Sequence, residues 1–152
     1  MEAVAIPPFE RFYADTREEI WRYLVRLLGR EAAEDAFQET FLHALRAYPR
    51  LLHARHLRAW AFTIATRVAI DERRRQAPAG TVTELAAEDP RPAYAELDHL
   101  AGELPAKERA AVVLRYGYDL PYADIAAALG SSEEAARQAT SSGVRRLRRR
   151  IT

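Results

Sequence analysis

Apolar residues recur every three or four positions through most of this chain, which is the period of an amphipathic α-helix. The first such pattern runs from Phe9 to Leu28 and ends at Gly29. A second runs from about Glu31 to Tyr48, and a third from about Leu57 to Arg75. No stretch alternates apolar and polar residues for long enough to predict a β-strand. The pattern therefore predicts an all-α fold.

A change in composition divides the chain into two parts. Residues 76–93 contain three prolines and one glycine and show no sustained periodicity, which is typical of a linker. Helical periodicity resumes at Tyr94, and a further helix begins at Pro105. We therefore predict two small helical domains, residues 1–75 and 94–152, joined by a linker over 76–93.

The last part of the chain, Tyr122–Arg150, predicts a helix-turn-helix. The first helix ends at Gly130, a residue that commonly adopts the left-handed conformation after a helix. Ser131 and Ser132 can both accept free N–H groups of the second helix, and Ser131 with Glu134 has the spacing of a capping box. That helix has a polar face suited to a DNA groove, which carries Arg137, Gln138, Ser141, Ser142, Arg145 and Arg148.

The second predicted helix has two faces. Its apolar stripe includes Phe37 and Phe41 and is sufficient for the core. Almost opposite lie Asp35, Gln38, Glu39, Leu42 and Arg46. An exposed, solvated surface is the simpler interpretation of that second face when it is considered alone.

The third predicted helix and the loop before it mix apolar and basic residues. The loop Leu51–His56 places two leucines beside arginine and histidine, a composition typical of loops that contact another molecule. We expect the helix to bury Leu57, Trp60, Ala61, Ile64 and Val68. We expect it to turn outward Arg58, Thr63, Thr66, Arg67, Ile70 and Arg74.

Composition narrows the class of protein. The chain is 49% hydrophobic and 30% charged, which is typical of a folded, soluble protein, and its net charge is only +1. Basic residues concentrate at Arg73–Arg75 and Arg145–Arg150, as expected of two phosphate-facing surfaces, although solvated helix ends would look similar. There is no cysteine, which fits a reducing cytoplasm and excludes a disulfide framework. No apolar run is long enough to predict membrane insertion, and the N-terminus is too acidic for a secretory signal.

The sequence offers little support for an enzyme, a metal site or a cofactor. Asp35, Glu39 and His43 lie four residues apart, but the Glu-x-x-His spacing of helical di-metal sites is absent. No glycine-rich phosphate loop, HExxH motif or nucleophile with partners at a recognisable spacing is present. We therefore expect no catalysis, no metal and no cofactor.

Three stretches resemble motifs of the extracytoplasmic-function (ECF) group of bacterial sigma factors. Glu34–Phe41, EDAFQETF, is similar to the acidic D-x-x-Q-E-x-F helix of that family. The sequence LRAWAFTIATRVAIDERRR follows at the right distance and is similar to F-R-x-W-L-x-x-I-A-x-N-x-x-x-D-x-x-R-R. The third stretch, residues 104–132 in the second half, reads LPAKERAAVVLRYGYDLPYADIAAALGSS. It is similar to the family pattern L-P-x-x-x-R-x-V-x-x-L-R-Y…L-S-Y-x-E-I-A-x-x-L-G-x-S. The resemblance covers about Phe9 to Arg150.

The resemblance implies three binding surfaces. The face of Asp35, Gln38, Glu39 and Leu42 would dock on the β′ clamp helices of core RNA polymerase. Opening and reading of the minus-ten element would involve Leu52, His53, Arg55, Arg58, Thr63, Thr66 and Arg67. The helix-turn-helix would enter the major groove at the minus-thirty-five element, with the DNA-binding residues Ser132, Arg137, Gln138, Ser141, Ser142 and Arg145.

The resemblance also implies partners and a location. The partners are core RNA polymerase, through the β′ clamp helices and the β flap, and promoter DNA. An anti-sigma factor is a further candidate partner, because the family often has one. The location is cytoplasmic. The recognition helix departs from the common family pattern, since Glu134 and Ala139 replace glycine and arginine, and Arg67 stands where asparagine is common.

These observations predict a sigma factor that binds core RNA polymerase and directs promoter recognition and melting. A stand-alone helix-turn-helix regulator is the alternative, in which the N-terminal helices would serve protein contact. A third hypothesis is a degenerate sigma-like protein that acts mainly as a binding partner.

Overall fold

The computed structural model of this chain describes residues 5–76 and 104–151, and all regular structure within these ranges is helical. In chain order the helices are α1 (Phe9–Leu28), α2 (Arg30–Ala47), α3 (Leu57–Gln76), α4 (Ala106–Val112), α5 (Tyr122–Leu129) and α6 (Glu133–Ile151). A short 3-10 turn, Tyr48–Arg50, follows α2, and a π-helical turn, Val113–Gly117, follows α4. The predicted all-α class is confirmed.

Helices α1, α2 and α3 form a bundle around an aromatic core. Gly29 alone joins α1 to α2, so the two helices pack side by side as a hairpin. Phe12 is 2% exposed and its ring centroid lies 6.1 Å from that of Phe41 and 5.5 Å from that of Trp60. The first three predicted helices therefore agree with the structure to within one residue at each end.

In the second half, α4 packs against α6 and α5 packs against both α6 and α3. The approach of α6 to α4 depends on Gly143. A Cβ atom at this position would lie 2.6 Å from Val112 Cγ2 and 3.3 Å from the carbonyl oxygen of Glu108. The two helices could not approach so closely with a larger residue there.

The turn between α5 and α6 has the predicted form with one correction. Gly130 ends α5 in the left-handed conformation, with φ +66°, and the N–H of Ser131 donates to the carbonyl of Ala126 at 2.9 Å. The cap of α6 is Ser132, whose hydroxyl accepts the N–H of Ala135 at 3.0 Å. The predicted capping box of Ser131 with Glu134 is therefore wrong by one residue, because α6 begins at Glu133.

The two halves share one apolar core. Phe62 and Ala69 of α3 and Ile125 and Leu129 of α5 are buried members of a single cluster that extends through both halves. The domain boundaries 1–75, 76–93 and 94–152 stay a prediction, since most of the linker and the helix predicted from Tyr94 lie outside the described residues.

Replacing Gly130 with alanine tests the left-handed turn. No atom lies within 4 Å of a Cβ placed there, so the only cost is that of the backbone conformation. We expect Gly130→Ala to lower the free energy of unfolding by about 1 kcal/mol. Gly130→Asn is the matched control and should recover most of that loss, because asparagine tolerates this conformation. Equal stability of Gly130→Ala and the wild type in urea unfolding would contradict this view of the turn.

Candidate nucleic-acid and protein interfaces

The second face of α2 lies at the surface. Asp35 and Gln38 are exposed, and Leu42 is 51% exposed. Glu39 is half-buried, with its carboxylate 4.0 Å from the guanidinium group of Arg75. Leu45 is a further exposed apolar residue on this helix. An apolar and acidic surface of this kind is available for a protein partner.

A groove of about 780 Å³ lies beside this face, between α1 and α2. Its walls combine the aromatic rings of Tyr13, Trp21 and Phe37 with charged side chains. The guanidinium carbon of Arg17 lies 5.7 Å from the centroid of the Tyr13 ring. Gln38 lines the groove and also belongs to the exposed face of α2, so the two features form one continuous surface.

The loop before α3 projects from the bundle. Leu52 is 95% exposed, and His53 and Arg55 are also exposed. The Nδ1 atom of His53 accepts the backbone N–H of Arg55 at 3.2 Å. His56 has a positive φ of 62°, which is uncommon for a residue other than glycine, at the point where the chain enters α3. The loop therefore presents an apolar side chain and basic groups together.

Arg58, in the first turn of α3, is held by three hydrogen bonds. It donates to both carboxylate oxygens of Glu19, at 2.8 and 2.9 Å, and to the carbonyl oxygen of Tyr118 at 3.1 Å. The hydrogen bond from Arg58 lowers the pKa of Glu19 below its usual value. One of the predicted DNA-binding cations is thus paired with α1 and with the second half of the chain.

Two of the side chains that we expected to face outward from α3 are buried. Thr66 is inaccessible, and its hydroxyl donates to the carbonyl of Phe62 at 2.7 Å and lies 2.6 Å from the hydroxyl of Tyr23. Ile70 is 9% exposed, and it lines a small cavity together with Leu27 of α1 and Ala106 of α4. Thr63 is half-buried, with its hydroxyl bonded to the carbonyl of Ala59 at 2.9 Å. The outward orientation expected for Thr66 and Ile70 is wrong.

Tyr118, which follows the π-helical turn, inserts its ring between the two halves. Its centroid lies 4.9 Å from that of Phe62 and 5.8 Å from that of Tyr23. The guanidinium carbon of Arg26 lies 5.5 Å from the same ring. Further along α3, Arg67 donates to the carbonyl of Ala127 in α5 at 3.3 Å. The α3 face predicted to bind the minus-ten element therefore contacts the helix-turn-helix half.

The predicted DNA-reading face of α6 is exposed. Arg137, Gln138, Ser141 and Arg145 lie at the surface, and Ser142 is half-buried. Ser142 accepts a hydrogen bond from Arg145 at 3.1 Å, and Arg137 donates to Glu133 at 3.0 Å. These side chains follow one side of the helix, as the spacing predicts.

Comparison with known proteins gives two family matches. Sigma-70 region 2 matches residues 12–78, and Sigma-70, region 4 matches residues 100–149. The ECF RNA polymerase sigma factor SigL of Mycobacterium tuberculosis is 36% identical over 143 residues, which cover 85% of this chain and 80% of SigL. The chain belongs to the ECF group of RNA polymerase sigma factors. It is a sigma factor of transcription initiation, and sigma factors are generally not enzymes.

Two further comparisons add a second relative and a solved structure of the same fold. The ECF sigma factor SigC of Mycobacterium tuberculosis is 32% identical over 131 residues, which cover 80% of this chain and 71% of SigC. The sigma factor RpoE of Bartonella quintana, solved in complex with the anti-sigma factor NepR, has a TM-score of 0.77. That likeness covers 93% of this chain and 94% of RpoE at 20% identity, so it concerns the fold.

Two residues that shape the surfaces of this ECF sigma factor were absent from the sequence prediction. Glu19 pairs with Arg58 across 39 residues, and Tyr118 lies in a connection that carries no periodic signal. The only sequence signal at Tyr118 is an aromatic residue after Gly117, within a short polar turn. Within the described residues, no helix is long and apolar enough to cross a membrane, and no three His, Asp or Glu residues are grouped to hold a metal ion.

The buried hydrogen bond of Thr66 can be separated from a role in DNA binding. Because the Thr66 hydroxyl donates to Phe62, the Tyr23 hydroxyl must donate to Thr66, and burial raises the pKa of Tyr23. Thr66→Val would leave the buried Tyr23 hydroxyl unpaired and lower the free energy of unfolding by about 1 to 3 kcal/mol. Thr66→Ser keeps the hydroxyl and is the matched control. A Thr66→Val protein as stable as Thr66→Ser in urea unfolding would refute this role.

Proposed function

We propose that this ECF sigma factor docks on core RNA polymerase through the exposed face of α2 and reads a two-part promoter with α3 and α6. The observation that carries the proposal is the exposure of Asp35, Gln38 and Leu42 on α2, in a protein that also exposes arginines on α3 and α6. The α2 face is not needed for the core, since α2 buries Ala33, Phe41 and Ala44 on its other side. The protein acts as an adaptor, without catalysis of its own, and works in the cytoplasm beside its polymerase.

The polymerase surface combines a central apolar residue with polar groups around it. Leu42 supplies the apolar contact, while Asp35 and Gln38 supply hydrogen-bond acceptors and a donor. The neighbouring groove contributes aromatic side chains, which are enriched at protein interfaces. We infer that the clamp helices of β′ cover the α2 face, and that the groove lies at its edge.

The minus-ten surface supplies cations and an exposed apolar side chain. Leu52, His53 and Arg55 project from the loop, and Arg58 and Arg67 lie on α3. Removing a base from the duplex stack costs a few kcal/mol, which arginine contacts to phosphate and the polymerase contacts must offset. Thr66 has no place in this surface, because it is buried beneath it.

Binding to both promoter elements requires the two halves to separate. The names of the elements place them about 25 base pairs apart, which is about 85 Å along B-DNA. A compact protein of this length has a radius of gyration of about 15 Å and is about 40 Å across. Residues 77–103, if fully extended, would reach about 95 Å. The contact of Arg67 with Ala127 must therefore break before both elements are bound.

An anti-sigma factor is a candidate partner of the packed form. The RpoE structure was solved in complex with the anti-sigma factor NepR, and its fold matches nearly the whole of this chain. A partner that binds the packed form better than the separated form would shift the population toward it. The stand-alone regulator remains less favoured, since the family matches cover both halves.

Purified sigma-free core RNA polymerase from the source bacterium tests the main proposal. The full chain should bind core in a pull-down and should direct run-off transcription from promoters selected from a randomised DNA pool. A protein that neither associates with core nor initiates from any selected promoter would rule out the proposal. Binding to core without initiation would favour the degenerate sigma-like protein.

Substitutions on α2 test the polymerase surface. We expect Asp35→Ala and Leu42→Ala each to weaken core binding about tenfold, because exposed residues at the centre of an interface carry most of its energy. Asp15→Ala is the matched control, since Asp15 is an exposed acid of α1 that does not line the groove. Fluorescence anisotropy of the labelled sigma factor, titrated with core, measures the affinities. Equal losses for Asp15→Ala and Asp35→Ala would contradict the assignment.

Tyr118→Ala tests the contact between the halves. Removing the ring takes away its packing on Phe62 and Tyr23, which should shift the free protein toward separated halves. Tyr116→Ala is the matched control, because Tyr116 is two residues away and 67% exposed. Small-angle scattering should give a radius of gyration of about 15 Å for the wild type and for Tyr116→Ala. Tyr118→Ala should give a larger value, and an unchanged value would show that this ring does not hold the halves together.

A further inference from the structure

Tyr122, the first residue of α5, lies within cation–π distance of two arginines. The guanidinium carbon of Arg115 is 4.6 Å from the ring centroid, and that of Arg137 is 5.0 Å from it. Both distances are inside the range of about 6 Å over which such contacts act. The three side chains come from the π-helical turn, α5 and α6, so the ring connects three successive segments.

Each of the two arginines has a second contact. Arg115 donates to the carbonyl oxygen of Leu120 at 3.2 Å, which fixes it to the chain that leads into α5. Arg137 donates to the carboxylate of Glu133, one turn earlier in α6, at 3.0 Å. The Arg137 side chain is thus held from two sides although it is 55% exposed.

The restraint of the Arg137 side chain is relevant to DNA recognition because of where Arg137 lies in α6. It is the fifth residue of α6, and the N-terminal residues of a recognition helix lie nearest the bases. Arginine reads guanine through two parallel hydrogen bonds to O6 and N7, which require a defined orientation of the planar guanidinium group. A side chain that is already ordered loses less conformational freedom when it binds.

We propose, on the basis of the function above, that Tyr122 is a positioning residue for promoter recognition. The ring does not contact DNA. It holds the Arg137 guanidinium group, together with Glu133, in the orientation that reads a guanine in the minus-thirty-five region. Arg115 in turn fixes the ring. Base preference at one position of this element therefore depends on a residue outside the recognition helix.

The test uses holoenzyme assembled from the full chain and core polymerase. The probe is duplex DNA selected by wild-type holoenzyme from a pool randomised over the minus-thirty-five region. Tyr122→Leu keeps an apolar side chain without a ring, and Tyr122→Phe keeps the ring as the matched control. Each is made in the wild-type background and in Arg137→Ala. The readouts are affinity, base preference by repeated selection, and the dependence of affinity on salt.

We expect Tyr122→Leu to weaken binding about two- to fivefold and to relax the preference for guanine at one position. Tyr122→Phe should leave both unchanged. In the Arg137→Ala background, Tyr122→Leu should have no further effect, since the residue that it positions is gone. This last result would not follow if Tyr122 only supported the fold.

Three results would overturn the inference. An equal loss from Tyr122→Leu in both backgrounds would show that Tyr122 acts through packing. If Arg137→Ala weakened binding to all sequences equally, and reduced the slope of log affinity against log salt concentration by about one, Arg137 would be a contact to phosphate. No effect of Arg137→Ala on a holoenzyme that initiates normally would remove Arg137 from recognition and leave the sigma function intact. Failure to form any holoenzyme would instead refute the proposed function.

Discussion

Helix α3 packs against α1 and α2 on one side and against α5 on the other, so that one apolar cluster runs through both halves. Each predicted domain has fewer than about 80 residues, a size at which a single core supplies only modest stability. Sharing α3 gives both halves additional buried area. The same helix carries two of the cations predicted to bind DNA, so stability of the free protein and access to the promoter are coupled.

The chemistry of the contact between the halves suits a reversible association. Arg58 and Arg67 donate to the carbonyl oxygens of Tyr118 and Ala127, and Arg109 donates to that of Arg26. A phosphate oxygen is a stronger acceptor for arginine than a carbonyl, because it carries charge. DNA can therefore replace the carbonyl partners of Arg58 and Arg67 without leaving either guanidinium group unsatisfied. The apolar packing of Tyr118 and α5 and the hydrogen bond from Arg109 to Arg26 then still oppose separation.

Helical periodicity predicted all six of the helices α1 to α6, and the glycine signal located the turn at Gly130, because these features depend on residues close together in the chain. The orientation of Thr66 and Ile70 failed for a different reason. Periodicity was read as one buried stripe, whereas α3 is covered on more than one side: Tyr23 of α1 meets Thr66, and Leu27 of α1 and Ala106 of α4 lie beside Ile70. Nothing local to Thr66 indicates that Tyr23 will meet its hydroxyl.

The charge along α6 separates affinity from selectivity. Glu133 and Glu134 occupy the first turn, where the helix dipole favours acids, and Glu133 pairs with Arg137. In the proposed function, this end of the helix would therefore attract phosphate weakly and contribute mainly through the geometry of a few side chains. Beyond it, Arg145 and Arg149 are exposed without neighbouring acids in α6, and in the proposed function they would attract phosphates of any duplex regardless of sequence. In the proposed function, discrimination between promoters would then arise at the N-terminal end, where Arg137 is held by Glu133 and Tyr122.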